Sequence, residues 1–135
     1  MVQLLRRIFW ERADGAALVA GVDFSHVGPR FGDPESPDSA LALRTSAGDH
    51  RVLEHVLRGE AEAFWREVAS VGNPQRIDAL SALYAALRIL EPVQGQLLHY
   101  GQAPDTAGRI VIFAVLALYD LPHGALRAER REPDG

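Results

Sequence analysis

The sequence predicts an α/β fold with a mostly parallel sheet flanked by helices and a C-terminal pair of strands. An amphipathic N-terminal segment precedes a short apolar run and a polar loop, an order typical of α/β proteins. Residues 49–90 carry apolar side chains mainly at helical spacing. Two stretches, 96–103 and 109–119, then have the length and composition of β-strands.

The composition is that of one soluble globular domain. The chain has 135 residues, of which 47% are apolar and 24% charged, and its net charge is −4. It lacks the basic stripe of a nucleic-acid-binding protein. The absence of cysteine excludes disulfides, thiol catalysis and cysteine-ligated zinc. We expect a single domain over residues 1–120, followed by a flexible tail at 121–135.

The first element is predicted to be an amphipathic helix over residues 1–10. Its apolar residues recur at helical spacing: Val2, Leu5, Ile8 and Phe9. The segment has neither the unbroken apolar core nor the cleavage site of a signal peptide. The apolar run Ile110–Tyr119 is only about half the length of a membrane span. A cytoplasmic protein without membrane or nucleic-acid partners is therefore expected.

The next residues predict a strand and a long loop. The helix should end near Asp14-Gly15, and Ala16–Val22 should form a buried parallel strand. The chain then enters a polar loop at Asp23. Residues 32–48 contain clusters of Gly, Pro, Ser and Asp, which predict that most of this stretch is loop.

Three helices and two strands are predicted downstream. Asp49 is expected to cap the first helix, which ends at Gly59, and the second ends at Gly72. The second helix carries apolar residues on one face: Ala61, Phe64, Trp65, Val68 and Val71. A third, buried helix should run from Asn73-Pro74 to Leu90. Strands Gln96–Ala103 and Arg109–Tyr119 follow, the second covered on both faces.

Asp23 and His26 are the strongest candidates for chemistry. They lie three residues apart directly after the predicted strand, which would mount them rigidly. A carboxylate and an imidazole suit zinc, iron or manganese. The alternative is structural, because an aspartate after a strand often caps a turn and a single histidine is often only a packing residue. The spacing alone leaves both alternatives open.

A family resemblance adds to this interpretation. Residues 23–33, Asp-Phe-Ser-His-Val-Gly-Pro-Arg-Phe-Gly-Asp, resemble the signature loop of the Memo family, whose bacterial members are named protein B of the AmmeMemoRadiSam system. The resemblance covers most of the chain, about residues 4–119. Its other segments are Gly59–Trp65, Asn73–Leu90, His99–Ala103 and Gly108–Ala114.

The resemblance implies a fold related to class III extradiol dioxygenases, which use non-haem iron, although the family has no established reaction. It further implies that this chain is a C-terminal half-domain of a three-layer type. In the family, the metal pocket joins the residues matching Asp23 and His26 to two histidines and a cysteine. The two histidines belong to the missing N-terminal half, and Asp78 occupies the position of the cysteine.

Asp78 and the function therefore have two interpretations. Asp78 can be a third ligand for iron or zinc, or a carboxylate at a helix start, where it is favourable in any case. The chain is then either a Memo-like metal-binding protein with an incomplete site, or a truncated, non-catalytic half-domain that acts as an interaction module. In both cases we expect a homo-oligomer, or a separate chain that supplies the missing half.

Overall fold

A computed structural model of the chain describes residues 1–12, 17–34 and 38–120. These residues form four α-helices, three β-strands and a 3-10 turn at Pro29–Phe31. The elements are α1 (Val2–Trp10), β1 (His26–Val27), α2 (Ser39–Leu57), α3 (Ala61–Ala69), α4 (Leu80–Leu90), β2 (Val93–Pro104) and β3 (Ile110–Asp120). The predicted tail at 121–135 lies outside the described residues. None of the described helices is long and apolar enough to cross a membrane.

The described sheet is antiparallel and has the strand order β1-β3-β2. β2 and β3 pair along almost their full length, with one irregularity between Leu97 and His99. β1 adds only two residue pairs at the other edge of β3. The α/β class and the C-terminal strand pair are thus confirmed. The prediction of a mostly parallel sheet is wrong for these strands, because β3 pairs antiparallel with both β1 and β2.

One face of the sheet is covered and the other is open. Ile110 and Ile112 are 2% and 0% exposed, because they point toward the helices. Phe113 and Val115, which point the other way, are 42% and 49% exposed. Coverage of β3 on both faces was therefore a wrong prediction, and the expected three-layer arrangement is not seen among the described elements.

The predicted strand at Ala16–Val22 is not formed in its described part, residues 17–22. Residues 17–25 have no regular secondary structure, and Val19 is 87% exposed. Pairing with β3 begins only at Phe24, whose N–H donates to the carbonyl of Ile112 at 3.0 Å. Residues 17–22 therefore add no strand to the described sheet.

Helix α2 begins well before the predicted position. Asp38 is its N-cap, and its carboxylate accepts a hydrogen bond from the N–H of Leu41 at 2.8 Å. The buried side chains Leu41, Thr45, Asp49 and Val52 recur every three or four residues. Asp49 is therefore in the middle of the helix and not its cap. Most of the predicted loop at 32–48 is thus helix, whose first turns carry few large apolar residues.

Helix α4 begins later than predicted. Asn73 and Arg76 have φ values of 51° and 50°, which no helix accommodates. The Asn73 carboxamide accepts a hydrogen bond from the N–H of Ile77 at 2.8 Å and so closes a turn. Asp78 consequently lies two residues before α4 and not in its first turn. The prediction that α4 is buried is confirmed, because only Ser81 among its residues is exposed.

The core lies between the helices and the covered face of the sheet. Its fully buried apolar side chains are Phe64, Leu53, Leu87, Ile112 and Val56. The predicted helices α1 and α3 are confirmed. α1 is fixed to the end of α4, since Trp10 donates its indole N–H to the carbonyl of Ile89 at 3.0 Å. Trp65 and Val71, which were placed on the apolar face of α3, are 38% and 64% exposed.

Candidate metal centre

His26 is held by the backbone of the segment that precedes α4. Its N–H donates to the carbonyl of Gln75 at 2.7 Å. The imidazole packs edge-on against the ring of Phe31, with centroids 5.2 Å apart. The side chain is only 12% exposed, so its orientation is fixed by the surrounding residues.

The two ring nitrogens of His26 have different partners. Nδ1 lies 3.1 Å from the carbonyl oxygen of Arg76. Because a carbonyl can only accept, this contact places a proton on Nδ1, so that Nε2 carries the lone pair in the neutral form of the ring. Nε2 lies 3.7 Å from a carboxylate oxygen of Asp23 and 3.8 Å from one of Asp78. The structure therefore brings all three predicted site residues together around one nitrogen.

Hydrogen bonds to backbone carbonyls explain how Asp23 and Asp78, which are 55 positions apart in the chain, come to lie close together. The N–H of Asp78 donates to the carbonyl of Phe24 at 3.3 Å, and the guanidinium of Arg76 donates to the carbonyl of His26 at 3.2 Å. The side chains of Asp23 and Asp78 are 65% and 72% exposed. Their backbones are thus placed beside His26, while their carboxylates keep freedom to rotate.

The predicted loop is closed by Asp33. Its carboxylate accepts two hydrogen bonds from the guanidinium of Arg76, at 2.8 and 3.2 Å, and one from the N–H of Gly28 at 2.7 Å. The hydrogen bonds from Arg76 hold the pKa of Asp33 below its usual value, against a smaller opposing effect of burial. Gly28 has φ +114°, and a Cβ there would lie 2.6 Å from the carbonyl oxygen of Gly108. This position therefore requires glycine.

The imidazole of His26 and the carboxylates of Asp23 and Asp78 suit a divalent cation, but their donor atoms are farther apart than the ligand atoms of a bound metal ion. A tetrahedral zinc with ordinary bond lengths would hold its ligand atoms about 3.4 Å apart. The observed separations are somewhat longer. Throughout residues 1–12, 17–34 and 38–120, no group of three or more His, Asp or Glu side chains is arranged to hold a metal ion. The cluster fits a metal only if the two exposed carboxylates rotate inward.

A second, buried polar cluster lies directly behind His26. The carboxylate of Asp49, which is 0% exposed, accepts hydrogen bonds from the hydroxyl of Ser25, from Tyr100 OH at 2.7 Å and from the Gln75 carboxamide at 3.2 Å. Burial raises the pKa of Asp49, and the hydrogen bonds from Ser25 and Tyr100 oppose that effect. Burial, together with the hydrogen bond to Asp49, raises the pKa of Tyr100 to about 12.

Sequence analysis did not identify the roles of Asp49 and Arg76. Asp49 was interpreted as a helix cap, and no role was assigned to Arg76. The helical spacing of Leu41, Thr45, Asp49 and Val52 could have shown that Asp49 faces the core. No sequence signal would have identified Arg76, whose role depends on a left-handed backbone conformation.

Comparison with known proteins gives one family match and two related proteins. A family model described as Memo-like protein matches residues 3–111. A MEMO1 family protein of Thermus thermophilus is 40% identical over 82 residues, which are 60% of this chain and 24% of that protein. A MEMO1 family protein of Aquifex aeolicus is 31% identical over 93 residues, 67% of this chain and 23% of that protein. The matches thus span about a quarter of the length of these relatives. No solved structure matches the chain significantly.

Proposed function

Because the chain belongs to the Memo-like protein family, we propose that it binds one divalent metal ion, iron or zinc, through Asp23, His26 and Asp78. The observation that carries the proposal is the position of His26 Nε2 between two carboxylates, at 3.7 and 3.8 Å. One imidazole and two carboxylates are a donor set that iron, manganese and zinc all accept.

The second contact of the His26 ring supports this role. Metal-binding histidines usually donate their other ring N–H to a carbonyl or a carboxylate, which fixes both the tautomer and the ring orientation. Here the carbonyl of Arg76 accepts that hydrogen bond. The same arginine clamps Asp33 and thereby the loop that carries His26. The ring is thus oriented before any ion binds.

A bound ion would act as a Lewis acid at the edge of the sheet. The contribution of the chain is to orient and partly bury the imidazole, and to provide two negative charges that attract the cation. Three protein ligands would leave coordination positions open for solvent, for a small molecule or for a side chain of another subunit.

Metal analysis of the purified protein tests the proposal. After treatment with a chelator, the wild type would be dialysed against Zn²⁺ or anaerobically against Fe²⁺, and the bound metal counted per chain. We expect one ion per wild-type chain and loss of binding in His26→Ala. Asp23→Asn and Asp78→Asn should each weaken binding, whereas His99→Ala, on the open face of the sheet, should not. Absence of stoichiometric metal under every reconstitution condition would refute the proposal.

A second candidate function is that of an interaction module. The open face of the sheet, which consists of Leu98, Phe113, Val115 and Tyr119, presents four large apolar or aromatic side chains that are 42–59% exposed. Exposed apolar patches of this kind mark protein–protein contacts. We propose that a second copy of this chain covers the open face. The alternative is that a different chain covers the open face and completes the fold. We also propose that the protein is cytoplasmic.

Sedimentation velocity over a range of concentrations tests the proposed dimer. The wild type should sediment as a dimer, and Val115→Lys should shift it to a monomer, because a lysine ammonium there would be buried without a partner. Val71→Lys is the matched control, since Val71 follows α3, is not part of the sheet and is 64% exposed. A wild type that stays monomeric at every concentration would rule out the dimer.

A further inference from the structure

We infer that Asp49 is a positioning residue for His26, holding the two segments that bring His26 and Asp78 together. The inference deepens the proposed metal centre and rests on it for its function. Asp49 lies in the middle of α2, and its hydrogen bonds go to Ser25, Gln75 and Tyr100, not to the three proposed ligands. Its influence therefore passes through its hydrogen-bond partners.

The first connection is through Ser25, the residue before His26. Ser25 and Asp49 are both 0% exposed, and the serine hydroxyl donates to Oδ1 of the carboxylate. The backbone of Ser25 is simultaneously held by β3, because its carbonyl accepts from the N–H of Ile112 at 2.9 Å. These two contacts fix the chain on the residue directly before the imidazole.

The second connection is through Gln75. Its carboxamide donates to Oδ1 of Asp49 at 3.2 Å and to the carbonyl of Thr45 at 2.9 Å. Its own carbonyl accepts the N–H of His26 at 2.7 Å. The next residue, Arg76, supplies the carbonyl that accepts from Nδ1 of the imidazole. Asp49 thus supports both the backbone position and the ring orientation of His26.

Helix α2 and the segment that carries Gln75 approach each other closely, which indicates that the Gln75 side chain occupies a defined position. A Cβ at Gly48, the residue before Asp49, would lie 2.6 Å from the carboxamide oxygen of Gln75. Helix α2 therefore has a glycine where the Gln75 side chain contacts it, and the next residue of the helix, Asp49, supplies a carboxylate for that side chain. The remaining oxygen of Asp49 accepts from Tyr100 OH on β2 at 2.7 Å. The carboxylate consequently links α2 to three other segments of the fold.

Burying a carboxylate on the inner face of a helix is unfavourable in free energy. Desolvation of a charged group costs several kcal/mol unless hydrogen bonds compensate it. Here three neutral donors surround the carboxylate, and no buried side-chain nitrogen or oxygen lacks a partner within the described ranges. An apolar side chain could also pack α2 against β2. It could not, however, orient Ser25 and Gln75, which is the role that we assign to Asp49.

The test uses Asp49→Asn, which keeps the shape of the side chain but replaces one acceptor oxygen with a donor. The first readout is the ring ¹⁵N–¹H correlation spectrum of His26, which reports the tautomer without any metal. We expect one Nδ1–H tautomer in the wild type and a mixture of tautomers in the variant. The second readout is the dissociation constant for Zn²⁺, which should rise about 10–100-fold, the range typical of substitutions behind a metal ligand.

Two further variants keep the result interpretable. Val56→Ala removes a fully buried side chain from the same helix, so it lowers stability without touching Ser25 or Gln75. It should leave the His26 ring spectrum unchanged. Ser25→Ala removes one donor and serves if Asp49→Asn does not fold; it should shift the ring spectrum in the same direction by a smaller amount.

The outcomes separate the two proposals. If the wild type binds Zn²⁺ and Asp49→Asn binds it equally with an unchanged His26 spectrum, the positioning role is wrong and the metal centre stands. If the wild type binds no metal, the metal centre fails. The ring spectra still decide the positioning role in that case. A Val56→Ala spectrum that changes as much as that of Asp49→Asn would also overturn the inference, because it would reduce Asp49 to a general contributor to stability.

Discussion

Arg76 and Asp33, which are 43 residues apart in the sequence, form a two-point contact with donor–acceptor distances of 2.8 and 3.2 Å. Bidentate pairs between a guanidinium and a carboxylate are stronger and more directional than single ion pairs. The contact is also partly buried, since the two side chains are 35% and 20% exposed. It joins the loop after β1 to the segment before α4, which are the two parts of the candidate metal centre.

We predict that Asp33→Ala lowers the free energy of unfolding by about 1–2 kcal/mol, because the guanidinium and the N–H of Gly28 both lose their acceptor. Urea unfolding measures the change. Glu54→Ala is the control: Glu54 pairs with Arg58 on the surface of α2, with both side chains 62% exposed, so its loss should stay below about 0.5 kcal/mol. Equal losses in the two variants would show that the Arg76–Asp33 contact is an ordinary surface pair.

Asp33 and Asp49 should give opposite dependences of stability on pH. The pKa of Asp33 is lowered by Arg76, so its contribution is present above the usual value of 3.8 and is lost as pH falls through the folded-state pKa. The pKa of Asp49 is raised by burial, so its contribution is present below 3.8 and is lost as pH rises through the folded-state pKa. The contribution of Asp33 to stability therefore changes with pH below 3.8, and that of Asp49 changes above 3.8.

Unfolding free energies of the wild type, Asp33→Asn and Asp49→Asn, measured against pH, test these signs. Relative to the wild type, Asp33→Asn should lose its stability deficit as the solution becomes more acidic. Asp49→Asn should show its largest deficit in acid and a smaller one toward neutral pH. Parallel curves for all three proteins would contradict the assigned causes of both pKa shifts.

The phenol of Tyr100 should ionise at a higher pH than that of an ordinary tyrosine. Burial and the hydrogen bond to Asp49 raise its pKa to about 12, because ionisation would place a phenolate beside a carboxylate. A spectrophotometric titration of tyrosine ionisation should contain a component near this value that Tyr100→Phe removes. Tyr119→Phe is the control, as Tyr119 is 59% exposed on the open face, and it should leave that component intact. Its persistence in Tyr100→Phe would refute the assignment.

The packing of α4 should dominate stability. Leu87 is 0% exposed in the centre of the core, so Leu87→Ala should lower the free energy of unfolding by about 2–5 kcal/mol. Leu43→Ala on α2 makes the same chemical change at a side chain that is 71% exposed, and should change stability by less than about 0.5 kcal/mol. Thermal and denaturant unfolding both measure the difference, and similar values would place Leu87 outside the core.

Local sequence predicted those elements whose pattern is complete within one segment. The helical spacing in α1 and α3, the stops at Gly59 and Gly72, and the hairpin of β2 and β3 are confirmed by the structure. In contrast, the start of α2 was missed because its first turns carry small and polar residues. The start of α4 was placed too early, because positive φ angles at Asn73 and Arg76 leave no trace in apolar periodicity.

The candidate site shows the same division. The sequence supplied its residue types, since the loop at 23–33 identified Asp23 and His26, and the family resemblance pointed to Asp78. It did not predict which partners orient them. Arg76 supports His26 through its backbone carbonyl, which any residue type possesses. Asp49 joins the network only because α2 is longer than predicted and turns this carboxylate inward.

The family, the α/β class and the three candidate ligands were predictable from the sequence alone, because they follow from residue types in short segments of the chain. The antiparallel sheet and its open outer face became apparent only in the folded chain. The same is true of the position of His26 Nε2 between Asp23 and Asp78. These features depend on contacts between segments that are distant in the chain, such as Ser25 with Asp49 and Asp49 with Tyr100. The energies of such contacts arise only when folding removes both partners from water.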